Sequence, residues 1–113
     1  GVIAGLSDDQ TARYFVAEIE GISVGTLMIT TEWSDWRNGL WLWIQSVYVH
    51  PEYRRKGVYR ALYAHIQAMA KQRPNICGIR LHVEKENQKA QLTHKNLGMQ
   101  DAHYLVFEQS TRE

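Results

Sequence analysis

The chain has 113 residues, 44% of them hydrophobic and 22% charged, with a formal net charge of +1 at neutral pH. That length bounds it to a single domain, residues 1–113, with one modest core, and the near-zero charge argues against a general polyanion binder, so any anion site must be local. The longest apolar runs, such as Leu40 to Ile44, fall far short of the roughly 20 residues that span a bilayer, no leader pattern opens the chain, and one cysteine, Cys77, offers neither a disulfide framework nor a metal cluster.

These features predict a cytoplasmic protein with no metal, no membrane partner and no nucleic-acid partner. Cys77 reads as a small core-filling residue. The chain opens Gly1-Val2-Ile3 without Met, and its first strong element comes near Tyr14, so an N-terminally truncated domain is expected.

Tyr14 to Ile19 and Val24 to Thr30 are β-prone runs joined by Glu20-Gly21-Ile22-Ser23, the pattern of a hairpin. A polar, aromatic loop from Thr31 to Gly39 carries Trp33, Asp35, Trp36 and Arg37. A long β-rich run, Leu40 to Val49, follows and closes at His50-Pro51. Between Gly57 and Lys71 the apolar residues Val58, Ala61, Leu62, Ile66, Met69 and Ala70 fall at helical spacing, and Pro74 ends the segment.

Ile79, Leu81 and Val83 alternate with Arg80, His82 and Glu84, the period of a strand packed on one face. Asn87 then caps a helix that ends at Gly98, and His103 to Glu108 reads as a last strand. The order β-β-β-α-β-α-β predicts an α/β (α+β) domain with a mixed sheet and flanking helices.

The stretch richest in chemistry runs from Val47 through His50-Pro51-Glu52-Tyr53 into Arg54-Arg55-Lys56-Gly57-Val58-Tyr59-Arg60. A helix start offers free backbone N–H groups and the positive end of the dipole, and a glycine lets a phosphate approach the main chain. Basic side chains at Arg54, Arg55, Lys56 and Arg60 add charge-assisted bonds. Alone, such a charge run more often marks a solvated face than a binding loop.

Its context is more telling. Arg54-Arg55-Lys56-Gly57-Val58-Tyr59 resembles the pyrophosphate signature (Q/R)-x-x-G-x-(G/A) of the GNAT acetyltransferases, between a long strand and an amphipathic helix. Asn87-Gln88-Lys89-Ala90, continuing through Thr93-His94 to Leu97-Gly98-Met99, is similar to the family's second cofactor-flanking pattern. The resemblance runs from Tyr14 to Glu108, with the family's first strand and first two helices missing. It implies a GNAT-like, largely antiparallel central sheet and acetyl-CoA as cosubstrate. Val47, Tyr48 and Val49 would meet the pantetheine arm in a gap between the fourth and fifth strands, and amides from Arg55 to Arg60, Val58 and Tyr59 included, would hold the pyrophosphate. Asn87 would lie near the pantetheine, or serve only as a helix cap.

Three departures bear on catalysis. Tyr59 stands where the signature has Gly or Ala and must point away from the phosphates. His94 replaces the family's usual Tyr acid, and reads either as the proton donor to the departing thiolate or as a surface residue. Gln45 stands where relatives often carry a Glu base, and an amide cannot take that proton. Among Glu32, Asp35, His82, Glu84 and His103, the residues Glu84 and His82 are the preferred replacements, because a central strand would aim one of them into the cleft.

The implied activity is transfer of an acetyl group to a primary amine on a small molecule or peptide. Trp33 and Trp36 form either an acceptor wall or cover for a sheet edge. The alternative is an inactive acyl-CoA-binding module. Exposed edges make a homodimer a further expectation.

Overall fold

A computed structural model describes residues 2–4 and 12–112. The chain divides into two compact units, residues 1–82 and 83–113.

The first unit is a five-stranded sheet in the order β1-β2-β3-β4-β5. Its strands are β1 (Val2–Ala4), β2 (Ala12–Ile19), β3 (Ile22–Ser34), β4 (Gly39–Val49) and β5 (Ile76–Arg80). The first four pair antiparallel, and β5 joins β4 in parallel after a crossover through helix α1 (Val58–Lys71). Glu20 and Gly21, with φ of 52° and 79°, turn β2 into β3. Two consecutive residues of positive φ match the right-handed twist of the flanking strands.

Alternation decides the faces. Phe15, Ala17, Leu27, Ile29, Leu42 and Ile44 turn inward from the strands and meet Val58, Leu62, Tyr63 and Ile66 of α1, all of them buried. Leu62 and Ile66 are fully enclosed, and each such side chain contributes about 1.5–3 kcal/mol of burial free energy. Gly25 lets the helix start approach β3. A Cβ there would lie 2.8 Å from the Val58 side chain and 3.1 Å from the Tyr48 carbonyl oxygen.

In the second unit, α2 (Gln88–Asn96) starts at Asn87, whose Oδ1 accepts a hydrogen bond from the Ala90 amide at 3.0 Å. Gln91 Nε2 donates to the Glu84 and Lys85 carbonyls at 3.2 and 2.7 Å, tying the entering turn to the helix. Gly98, with φ of 99°, ends it, and the Met99 amide returns to the His94 carbonyl at 3.1 Å.

The elements differ from the sequence expectations in four places. A three-residue strand, β1, precedes the element expected near Tyr14; it is too short to show a periodicity. The aromatic loop is mostly strand: β3 extends to Ser34 and β4 begins at Gly39. The strand expected across Ile79 to Glu84 lies earlier, at Ile76–Arg80, because its register with Leu40–Trp43 of β4 decides which residues pair. His103 to Glu108 is not a strand, and Tyr104, Leu105, Val106 and Phe107 are exposed. Their β propensity becomes a strand only against a partner edge.

Candidate functional site

Strand β4 carries the site. It pairs with β5 only over Leu40–Trp43, while its pairing with β3 continues to Val49. Beyond Trp43, β4 therefore has no strand partner on its β5 side among the described residues. Val47 and Val49 alternate with Tyr48 along this open length, opposite Leu27, Gly25 and Thr26 of β3.

Within it the β3–β4 register slips between Met28 and Ile29, so that Ile44 and Ser46 find partners and Gln45 is the extra residue of a bulge. Gln45 Nε2 donates to Thr30 Oγ1 at 2.8 Å. The amide that replaces the expected carboxylate is thus committed to a structural hydrogen bond.

After β4 the His50 amide donates to the Val24 carbonyl at 2.8 Å, and a short 3₁₀ turn, Pro51–Tyr53, redirects the chain. His50 Nδ1 accepts the Glu52 amide at 3.2 Å. Arg54 lays its Nε against the Val49 carbonyl at 3.1 Å, and the Lys56 ammonium lies 5.5 Å above the Tyr53 ring. Arg54 is therefore a brace between turn and strand.

Arg55 and Gly57 both have positive φ, 64° and 83°, and α1 opens at Val58 with no side-chain cap. The first amides of a helix have no partner within it, and here no side chain covers them. A Cβ built on Gly57 would meet nothing within 4 Å. The exposed side chains of Arg55, Lys56 and Arg60 surround this opening. An uncapped helix start, open space above a glycine and local positive charge fit a pyrophosphate group.

The Tyr59 ring lies 6.3 Å from that of Tyr63, one helical turn on. Burial, with the neighbouring Tyr63 adding to it, pushes the Tyr59 phenol up to about 12, so it stays neutral.

His82 lies two residues past the end of β5, and its exposed ring stacks on Trp43 with centroids 4.5 Å apart and planes 23° apart. Trp41, two residues earlier on β4, carries the Arg80 guanidinium at 3.8 Å and that of Arg37 at 5.0 Å. Arg80 also pairs with Glu32 at 3.5 Å. Trp33 and Trp36 are exposed at the far hairpin.

In the second unit Asn87 is the helix cap already described. Glu84 sits in the turn before α2 instead of on a strand, and burial of His94 lowers its pKa below the usual imidazole range. A cavity of about 100 Å³ between β2–β4 and the last turn of α1, lined by Arg13, Thr30, Leu42, Met69 and Arg73, lies at the opposite end of that helix from Gly57.

The sequence alone did not reveal the bulge at Gln45, the stack of His82 on Trp43, or the Arg80–Trp41–Glu32 group. The signal available was the alternation of Trp41 and Trp43 with Leu42 and Ile44, which puts two indoles on the face turned away from α1.

Residues 3–99 match the model of the acetyltransferase (GNAT) family. A possible acetyltransferase from Clostridium difficile 630 is 43% identical, with a TM-score of 0.87 over 94% of this chain and 70% of that one. A ribosomal-protein-alanine N-acetyltransferase from Brucella melitensis biovar Abortus 2308 is 17% identical, with a TM-score of 0.77 over 91% of this chain and 73% of that one. The aminoglycoside N-acetyltransferase AAC(6')-Iy, in complex with CoA, is 21% identical, with a TM-score of 0.72 over 90% of this chain and 78% of that one. At these last two identities the likeness is one of fold. No curated protein matches the chain. The family match over most of the length, the 43% identical structure and an open strand leading to an uncapped helix start agree, and the chain belongs to the GNAT acetyltransferase family.

Proposed function

We propose that this chain transfers an acetyl group from acetyl-CoA to a primary amine of a small molecule or peptide, without a covalent enzyme intermediate. The observation that carries this reading is the open turn Arg55 to Gly57, set directly beyond the stretch of β4 that leaves β5. The amides from Arg55 to Arg60 would hold the pyrophosphate, with the Arg55, Lys56 and Arg60 side chains around it, and Arg54 would keep the turn in place from Val49. The main chain of Val47, Tyr48 and Val49 would pair with the pantetheine arm, and Asn87 would add a polar contact to it.

Bound acetyl-CoA supplies the activated thioester. A main-chain N–H near Val47 or Tyr48 would polarise the carbonyl oxygen, an interaction worth about 3 kcal/mol where single donors of this kind have been removed. His94 would protonate the departing thiolate. Similar folds whose printed names refer to aminoglycosides and a ribosomal-protein alanine support an amine acceptor. A cytoplasmic location and self-association through exposed sheet edges belong to the same proposal.

Calorimetric titration with acetyl-CoA and CoA tests it, alongside a Gly57→Glu variant. Binding by the wild-type chain that disappears in the variant supports the reading. A wild-type chain that binds neither ligand overturns it, and binding without transfer to any amine leaves an acyl-CoA-binding module.

A further inference from the structure

Gln45 cannot accept a proton and is already bonded to Thr30, so the acceptor's ammonium needs another base. A primary alkylammonium, with a pKa near roughly 10.4, is almost wholly protonated at neutral pH and cannot attack a thioester until it loses that proton. We propose that His82, held flat against Trp43 where β4 parts from β5, takes it.

Three placements carry the assignment. Trp43 is the last β4 residue paired with β5, through Arg80, and on its other side it pairs with Thr30, the residue that holds Gln45. The Trp43–His82 stack therefore stands at the lip of the open stretch of β4, about 6.5 Å along the strand from Gln45. Trp41 and Trp43 alternate with Leu42 and Ile44, which are buried against α1, so the stack lies on the face turned away from that helix. His82 is exposed, and stacking uses the face of its ring, whereas a proton is taken in the ring plane, at the edge.

The surrounding charges are otherwise engaged. Glu32 of β3 pairs with Arg80 of β5, and Arg80 and Arg37 lie on Trp41. Tyr14 of β2 and Tyr48 of β4 also face this side of the sheet.

This assignment rests on the transferase reading above. In the step, a proton passes from the ammonium nitrogen to a ring nitrogen of His82. The freed lone pair forms the new N–C bond at the thioester carbonyl, the C–S bond breaks with its electrons going to sulfur, the acylated nitrogen gives up its second surplus proton to solvent as the thiolate gains one, and the imidazolium returns its proton to solvent. Trp43 acts as a positioning residue that fixes the ring.

The test measures CoA release from acetyl-CoA with two probes: ethanolamine, which is protonated at neutral pH, and hydroxylamine, which is already neutral there. His82→Gln is expected to lower kcat/KM for ethanolamine by about 10²-fold, to remove the acidic limb of its pH profile, and to regain rate when free imidazole is added. Acetyl-CoA affinity and the hydroxylamine rate should stay unchanged. Trp43→Leu should lower the ethanolamine rate while keeping the acidic limb. Independently of turnover, the His82 ring resonance, identified by its loss in His82→Gln, should shift when ethanolamine is added to the CoA-bound chain.

An ethanolamine rate and pH limb unaltered in His82→Gln would overturn the assignment, as would equal losses with both amines. A wild-type chain that binds acetyl-CoA but modifies neither amine would overturn it together with the transferase reading, whereas absent acetyl-CoA binding would strike the cofactor site itself.

Discussion

Gln45 donates a 2.8 Å hydrogen bond to the hydroxyl of Thr30 from the one residue of β4 that the β3 register leaves over. A residue at a bulge is re-aimed relative to its neighbours, and such positions recur beside active sites. Here the re-aimed group is an amide that anchors the bulge and carries no proton.

Gln45→Ala should therefore act on stability more than on chemistry. The lost hydrogen bond is worth about 0.5–1.5 kcal/mol, visible as an earlier denaturant midpoint. Transfer to an amine should fall by no more than about threefold, against the roughly 10²-fold or greater loss expected when a proton-transfer group is removed.

Gly57→Ala adds no charge to the loop but places a Cβ on a backbone of φ 83°. The left-handed conformation costs a residue with a Cβ about 1–2 kcal/mol, and the space around the position is open, so the chain should fold with reduced stability. Acetyl-CoA affinity, followed by calorimetry, should drop moderately in this variant and by more than tenfold in Gly57→Glu, where a carboxylate is added beside the phosphate position.

Leu62 faces the sheet from α1 with none of its surface exposed. Leu62→Ala removes buried methyl groups from the sheet-facing side of the helix that starts at the phosphate turn and should cost about 2–5 kcal/mol of folding free energy in a chemical denaturation curve. An effect below about 1 kcal/mol would contradict this packing.

Burial lowers the pKa of His94. The unfolded chain then binds a proton at higher pH than the folded one, so stability rises with pH across the window from the lowered folded value up to the ordinary value of about 6.5. Acidifying through that window should destabilise the chain, and His94→Gln should flatten this part of a stability–pH curve measured by thermal melts. A His94→Gln curve with the wild-type slope would place the titration on another residue.

Features set by neighbouring residues were legible before any coordinates. The spacing of Val58, Leu62 and Ile66 implies α1, the alternation through Leu42 and Ile44 implies a half-buried β4, Asn87 caps α2, and Gly57 ends a basic turn beyond a strand. Each is a matter of backbone propensity or of side chains a few positions apart, so each survives without knowledge of the partner strand. The family resemblance was carried by the same local motifs, Arg54 to Tyr59 and Asn87 to Met99.

Register and partnership belonged to the tertiary structure. Which residue of β4 becomes the bulge depends on how ten β3–β4 pairs align, and where β4 loses β5 depends on a parallel strand that follows an entire helix in the sequence. His82 stacks on Trp43 from 39 positions further along the chain. The same dependence explains β5, which settled at Ile76–Arg80 instead of near Leu81, and His103 to Glu108, which has strand propensity but forms no strand. Local sequence determined the helices, the phosphate turn and the alternating faces because their energetics are short-range; cross-strand pairing alone decided the opening in the sheet and which side chains stand at its edge, because those contacts exist only once distant segments meet.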